Sequence, residues 1–380
     1  MQEFPKGYVS NTSEIDNLYE IADELAQTIL SNTEILLNLP KIDELGWKTL
    51  PPPSEKPMTM ASVDGGSRLL QGRSLYLLFA QAAGRPMGIG GTQMPKDYPW
   101  IVERYAEKVS SGGQFASDLL SRIRERLELS VAIDLMERFS PEYMLMDGTL
   151  DGLFIIGIPT RLILSTLNGE EDLNDDLRLF KGELIAYGDV LKEFMETAEK
   201  QGTKVIGLSK DSYSKIFVPA ELREMGINDS MYFSMITQGR RGYSTVNTRK
   251  GIEKLKMMKI PKTDESFILT LWKDNKIQLK DDDTNISTFF ANFANRGIPV
   301  RVDYFANRGL SPDEIIADLQ NVSDGKDWFI PPRLAHEKAK VKSDLFDVFV
   351  KQIYRRIEAS NPTLANLVLG ATRRMRTQGG

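Results

Sequence analysis

The chain has 380 residues, 41% hydrophobic and 27% charged, with 48 Lys and Arg against 53 Asp and Glu for a net charge of −5. That length and balance suit a globular protein with a sizeable core and exclude a fibrous or largely disordered chain. No cysteine is present, which excludes disulfides, zinc thiolates and cysteine nucleophiles, and the single histidine, His336, excludes histidine-rich metal sites.

The start, MQEFPKGYVSNTSEID, has no basic residues leading into an apolar run, and no segment approaches the roughly 18 apolar residues of a membrane span, so a cytoplasmic protein without membrane contact is expected. Ile15, Leu18, Ile21, Leu25, Ile29 and Leu36 recur at helical spacing and predict an amphipathic helix over residues 13 to 36. Pro51, Pro52 and Pro53 interrupt the chain. Met58 to Asp64 then reads as a strand entering a Gly65-Gly66-Ser67 turn, with a second strand at Leu75 to Ala83, which together predict an antiparallel hairpin with Asp64 near the end of its first strand.

From Gln114 to Phe139, Leu119, Leu120, Ile123, Leu127, Val131 and Leu135 predict a helix that carries Glu128. Pro141 ends it, and the apolar run Tyr143 to Met146 delivers Asp147 to a Gly148-Thr149 turn as a buried strand would. A helix over Asn174 to Glu199 and a strand over Lys204 to Leu208, with Lys210 just beyond, come next. Strands are predicted at Phe267 to Trp272 and Pro299 to Phe305, and a last amphipathic helix at Lys342 to Ala359. The alternation predicts a mixed α/β fold.

Two Asp-Gly segments stand out, VDGGSRLL at Val63 to Leu70 and MDGTLDG at Met146 to Gly152, each placing a carboxylate at a strand end. Asp-Gly is also an ordinary turn dipeptide. Hard cations take oxygen ligands, and metal-assisted phosphodiester hydrolysis needs carboxylates converging from several elements, which Asp64, Asp147 and the helical Glu128 can supply. MDGTL resembles the DxDGTL signature of haloacid-dehalogenase-type phosphatases, but Leu145 stands where their nucleophilic aspartate would be. Gly88-Ile89-Gly90-Gly91 lacks dinucleotide and P-loop spacing, and no GxSxG turn accompanies His336. Between Gly239 and Lys262 eight cations face one acid, Glu253, making Arg240, Arg241, Tyr243, Arg249 and Lys250 a candidate DNA-binding track; a solvated basic face is the other reading. Arg373, Arg374 and Arg376 form a basic tail.

Taken together the segments resemble the NurA family of nucleases. ASVDGGSRL with Asp64, RERLELSVA with Glu128, MLMDGTL with Asp147, VIGLSKDS with Lys210 and PPRLAHEKA with His336 follow one another in the family's order. The resemblance implies an RNase H-like mixed sheet core with flanking helices, Mn²⁺ or Mg²⁺ as cofactor, DNA as substrate, and a homodimer working with a HerA-type hexameric ATPase. It implies Asp64, Glu128 and Asp147 as metal ligands, His336 as ligand or proton-transfer group, and Lys210 as a phosphate contact, with Asp303 a weaker candidate. Endonuclease action on single-stranded DNA and 5′-to-3′ exonuclease action are the implied activities. The organisation expected is an N-terminal helical segment over 1–50, the nuclease domain over 51–340 with a basic insertion around 239–262, and a C-terminal helix and tail over 341–380. Asp-Gly-Gly-Ser stands where Asp-Gly-Ser is usual, which leaves Ser67 without a clear role. A non-catalytic DNA-binding or scaffolding subunit and a junction resolvase are the alternative readings.

Overall fold

A computed structural model describes residues 46–365 except 93–97, 168–172, 211, 261–264, 296, 326–327 and 364, together with positions 19, 22, 23 and 42. The predicted helix over residues 13 to 36 and the tail arginines lie outside the described residues. The chain divides into two compact units, Met1–Trp47 and Lys48–Gly380, and the second holds every element that follows.

The strands are β1 (Met58–Gln71), β2 (Tyr76–Ile89), β3 (Ile101–Val109), β4 (Tyr143–Asp147), β5 (Lys204–Ser209), β6 (Gly242–Tyr243), β7 (Asn247–Lys250), β8 (Asn285–Asn292) and β9 (Val300–Phe305). The helices are α1 (Gly113–Phe139), α2 (Thr160–Leu167), α3 (Asp175–Gln201), α4 (Ala220–Glu224), α5 (Asp229–Thr237), α6 (Ile252–Lys256), α7 (Phe267–Asp274), α8 (Pro312–Gln320), α9 (Ile330–Ala339) and α10 (Ser343–Ser360). All the strands join one sheet in the order β3-β2-β1-β4-β5-β9-β8-β6, with β7 also pairing with β8. β1, β2 and β3 are antiparallel, while β4 and β5 run parallel to β1. With helices on both faces, this is the mixed α/β sheet with flanking helices that was expected.

Side chains alternate across the sheet because strand residues point to opposite faces in turn. Ala61 and Val63 of β1 and Met144 and Met146 of β4 join the core beneath α1, α3 and α7. Met58, Met60, Tyr143 and Leu145 face the other way, onto Ile315 and Leu319 of α8 and Phe329 before α9. Both ends of α3 are chemically marked: the Asn174 side chain accepts from Leu177 N, and Gly202 closes the helix at φ 66°. Phe346 and Phe349 of α10 lie against Phe79 of β2, with ring centroids 6.2 and 5.2 Å away.

Two expectations are corrected. Gly65-Gly66-Ser67 is no turn: β1 continues unbroken, paired with β2 from Met58↔Ile89 to Gln71↔Tyr76, and the reversal is made at Gly72, whose N–H donates to Leu75 O. Asp64 is therefore in mid-strand. Phe267 to Trp272 is not a strand but the body of α7. Ser266 caps it, and Phe267, Ile268, Leu271 and Trp272 are buried at helical spacing, with Trp272 Nε1 donating to Leu184 O at 2.9 Å. The basic stretch from 239 is woven into the sheet, since β6 and β7 both pair with β8.

Candidate metal centre

β1 and β4 pair in parallel only from Met60↔Tyr143 to Val63↔Met146, and the next residues are Asp64 and Asp147. The two aspartates thus sit side by side where the strands part, on the face of Tyr143 and Leu145. Gly148 follows Asp147 at φ 122°, a conformation that favours glycine, and its N–H donates to Leu208 O at 2.7 Å. Gly207 of β5 leaves room for this turn: a Cβ there would lie 2.9 Å from Gly148 O and Leu150 N.

His336 comes from α9, the helix that crosses this face. Pro331 and Pro332 occupy its first turn, where a missing N–H costs nothing and φ is already helical. The end of the helix abuts β1 at Gly66, where a Cβ would meet Ala339 O at 2.2 Å, and Gln81 Nε2 donates to the same carbonyl at 2.7 Å. Held in this way, His336 Nδ1 lies 2.7 Å from Asp64 Oδ2. Ligand atoms of Asp64, Asp147 and His336 all fall within 4.8 Å of one another. The Asp64 side chain is 11% exposed and that of His336 55%, so the group opens to solvent on the histidine side.

Glu128 approaches from the opposite face of the sheet, on α1. Its carboxylate fills the space a side chain at Gly65 would take, since a Cβ there would fall 2.1 Å from Glu128 Oε1. It lies outside the 4.8 Å group and is held by Arg124, one turn earlier, at 3.3 Å. Burial, reinforced by Asp64, Glu125 and Asp147 against the opposing pull of Arg124, pushes the Glu128 carboxyl up to about 8. Burial and the Asp64 charge raise Asp147 to about 6. The protein therefore concentrates carboxylates faster than it supplies cations, as a cation site does before its ion is counted.

Lys210, just past β5, is exposed, with its Nζ 4.3 Å from the ring centroid of Trp328. Its charge is felt at Asp147. Asp303 does not join the group. It is fully buried and accepts from Thr288 Oγ1, Arg301 Nε and Leu150 N at 2.6, 2.8 and 3.0 Å, so it anchors the turn behind Asp147. Ser67 is half-buried on β1 opposite Ala80. Arg124 and Trp328 were not singled out in the sequence; an Arg four residues before Glu128 on one helix face was a readable signal for the first, whereas nothing local links Trp328 to Lys210.

Residues 58–318 match the family model of the NurA domain. The chain belongs to the NurA family. Its fold is similar to that of the NurA nuclease from Sulfolobus solfataricus, with a TM-score of 0.61 at 18% identity over 90% of this chain and 98% of that one. A structure of NurA with manganese matches at 0.58 and 13% over 90% and 98%, and one of NurA bound to dAMP and manganese at 0.52 and 14% over 88% and 94%. No curated protein sequence matches the chain. Within this NurA fold, the five residues that carried the resemblance fall as described: three in one group, Glu128 behind it and Lys210 at the neighbouring strand end.

The residues of the candidate DNA track differ in exposure. Arg240, Arg241 and Lys250 are exposed, whereas Arg249 pairs with Asp151 at 2.6 Å. Tyr243 cannot offer its ring to a base: it is 4% exposed in the core, and its hydroxyl donates to Asp313.

Two results follow for this centre. Between the ordinary glutamate value and about 8, the folded protein holds a proton on Glu128 that the unfolded chain has released, so metal-free stability should fall as pH rises through that window. Urea unfolding in EDTA at pH 5 to 8.5 should show this decline, and Glu128→Gln should flatten it; an equal slope in the variant would remove Glu128 as its source. Gly65→Ala should displace the Glu128 carboxylate and lower turnover about 100-fold, the scale of a misplacement near 1 Å. Retention of wild-type kcat would show that Glu128 position is immaterial.

Proposed function

We propose that this protein is a Mn²⁺- or Mg²⁺-dependent deoxyribonuclease. The observation that carries the reading is the grouping of Asp64, Asp147 and His336 within 4.8 Å at the point where two parallel strands part. The donor set fits the ion: two hard carboxylates and one imidazole suit Mn²⁺, and a divalent cation would offset the burial and the neighbouring carboxylate charge that together raise Asp147 and Glu128. Membership of the NurA family and fold neighbours bound to manganese and to dAMP support it.

When bound, the ion supplies Lewis-acid polarisation of the phosphodiester and activation of water. The chain's own residues do the rest. Asp64 orients His336 through the contact at Nδ1, which leaves Nε2 free to face the open side. Glu128, whose carboxyl stands near 8 in the metal-free protein, would give up its proton as a cation neutralises the site. Lys210, steadied over Trp328, places a positive charge where the phosphoryl oxygens gain negative charge.

Following the family, the protein acts in the cytoplasm as a homodimer with a HerA-type hexameric ATPase, cutting single-stranded DNA internally and degrading ends 5′ to 3′. No described helix is long and apolar enough to cross a membrane. Cleavage of 5′- and 3′-labelled single- and double-stranded oligonucleotides with Mn²⁺, Mg²⁺ or EDTA tests the reading. Metal-dependent products are expected, and their ladder gives the polarity. No cleavage with either metal, alone or with the ATPase, would overturn the proposal.

A further inference from the structure

Where the chain leaves β4 and β5, a few residues beyond Asp147 and around Lys210, opens a groove of about 840 Å³ that the proposed chemistry does not use. Two of its lining residues tie it to the centre, since Thr149 follows Asp147 by two positions and Ser209 immediately precedes Lys210. Among the described residues its charged lining is five cations, Lys215, Arg223, Arg249, Lys254 and Arg301, against one carboxylate, Asp151. In a chain of net charge −5 this is a local inversion of sign.

The cations divide by role. Arg301 is 2% exposed and is bound to Asp151 and Asp303 at 2.6 and 2.8 Å, and Arg249 is bound to Asp151, so these two form a neutralised floor. Lys215 is exposed and donates to a neutral acceptor, Arg223 O, at 2.8 Å. Lys254 lies half-buried in the opposite wall, on α6, and neither lysine pairs with a carboxylate among the described residues. The rim therefore keeps a net positive charge that a phosphate backbone would meet.

The loop that carries Lys215 is fixed in place. Asp229 is fully buried and accepts from Ile216 N, Phe217 N and Val218 N at 2.9, 2.8 and 3.2 Å and from Ser214 Oγ at 2.5 Å. Arg301 Nη1 donates to Ser212 Oγ at 3.1 Å. On this loop Tyr213 lines the groove at 85% exposure, an aromatic ring standing out to solvent between the hydrogen-bonded Ser212 and Ser214. An exposed ring beside uncompensated lysines matches how unpaired bases and their phosphates are gripped together.

We propose that this groove is the track along which single-stranded DNA reaches the metal centre, with Tyr213 stacking on a base and Lys215 and Lys254 contacting phosphates. This rests on the nuclease reading and adds a substrate path to it. A duplex keeps its bases stacked inside and offers Tyr213 no face, so the track is selective for unpaired strands.

The test is fluorescence anisotropy with a labelled single-stranded oligonucleotide and with its duplex, both in EDTA, so that no cleavage occurs. Tyr213→Ala should weaken single-strand binding by about 10-fold, within the range of one base–aromatic stack, and change duplex binding less than about twofold; Tyr213→Phe should restore it. Lys215→Ala with Lys254→Ala should lower the slope of log affinity against log salt by about 1.4, near 0.7 for each lost phosphate contact. Tyr213→Ala should leave that slope unchanged. Wild-type affinity and slope in all variants would overturn the track, as would equal losses on single strand and duplex. Unchanged DNA binding with an altered sedimentation coefficient would assign the groove to a protein contact and overturn it too. Because these readings are made without metal, they stand apart from the cleavage assay, which alone decides the nuclease reading.

Discussion

Asp64→Ala is expected to lower Mn²⁺-dependent cleavage by about 10³-fold or more while leaving the metal-free protein folded. The size follows from position. Asp64 contacts His336 at 2.7 Å, shares the 4.8 Å group with Asp147, and its charge bears on Glu128, so one substitution removes a ligand and unsettles the others. Metal catalysis is worth several kcal/mol of transition-state stabilisation, and each 1.36 kcal/mol lost is about tenfold in rate. Stability should move the other way. The Asp64 carboxylate helps to raise Asp147 and Glu128, so its removal relieves repulsion and the variant should melt in EDTA at or above the wild-type temperature. With Mn²⁺ at 100 times its dissociation constant the wild type should gain about 2.7 kcal/mol, and the variant much less. Thermal melting with and without Mn²⁺, run beside a labelled-oligonucleotide assay, reads both. An active Asp64→Ala protein would remove the centre from this site, and a variant unfolded in EDTA would mean that Asp64 is structural.

The chemistry of this centre was more legible in the sequence than its geometry. Asp147 was readable because the short apolar run between Pro141 and an Asp-Gly turn matches a buried strand delivering a carboxylate. Asp64 was recognised, but its two glycines were read as a turn. They lie in extended backbone and matter for the side chains they lack, Gly65 admitting the Glu128 carboxylate and Gly66 admitting the end of α9. Only contacts between distant segments show this, and no local pattern encodes them. The same limit explains α7, since FILTLW is apolar throughout and too short to distinguish a buried strand from a buried helix. β8 was passed over although its residues after Asn285 are buried, because a strand covered on both faces shows no alternation. The groove was least accessible of all, because its walls come from the loops after β4 and β5 and from α4, β7, α6 and β9. Tyr243 shows the reverse error: an aromatic among basic residues suggested a DNA contact, but β6 carries it into the core.

Asp303→Ala is expected to cost about 3 to 5 kcal/mol of stability, the scale for breaking a buried ion pair and leaving one charge unmatched. Arg301 would keep Asp151 at 2.6 Å, but Asp151 already serves Arg249 at the same distance, so two guanidiniums would share one carboxylate in the interior. Leu150 N and Thr288 Oγ1 would lose their acceptors as well. Since Leu150 follows the Asp147 turn, a structural Asp303 should influence cleavage only through the placement of that turn. Asp303→Asn separates the two roles, because it keeps the shape and one acceptor while removing the charge. If Asp303 anchors the turn, calorimetric titration of the folded Asn variant should give Mn²⁺ affinity within about threefold of wild type, although urea unfolding shows a large loss. A loss of affinity of tenfold or more in a variant that still folds would make Asp303 part of the metal centre. Its complete burial and three internal donors favour the first result, since a carboxylate with three of its roughly four acceptor positions already engaged has little left for an ion.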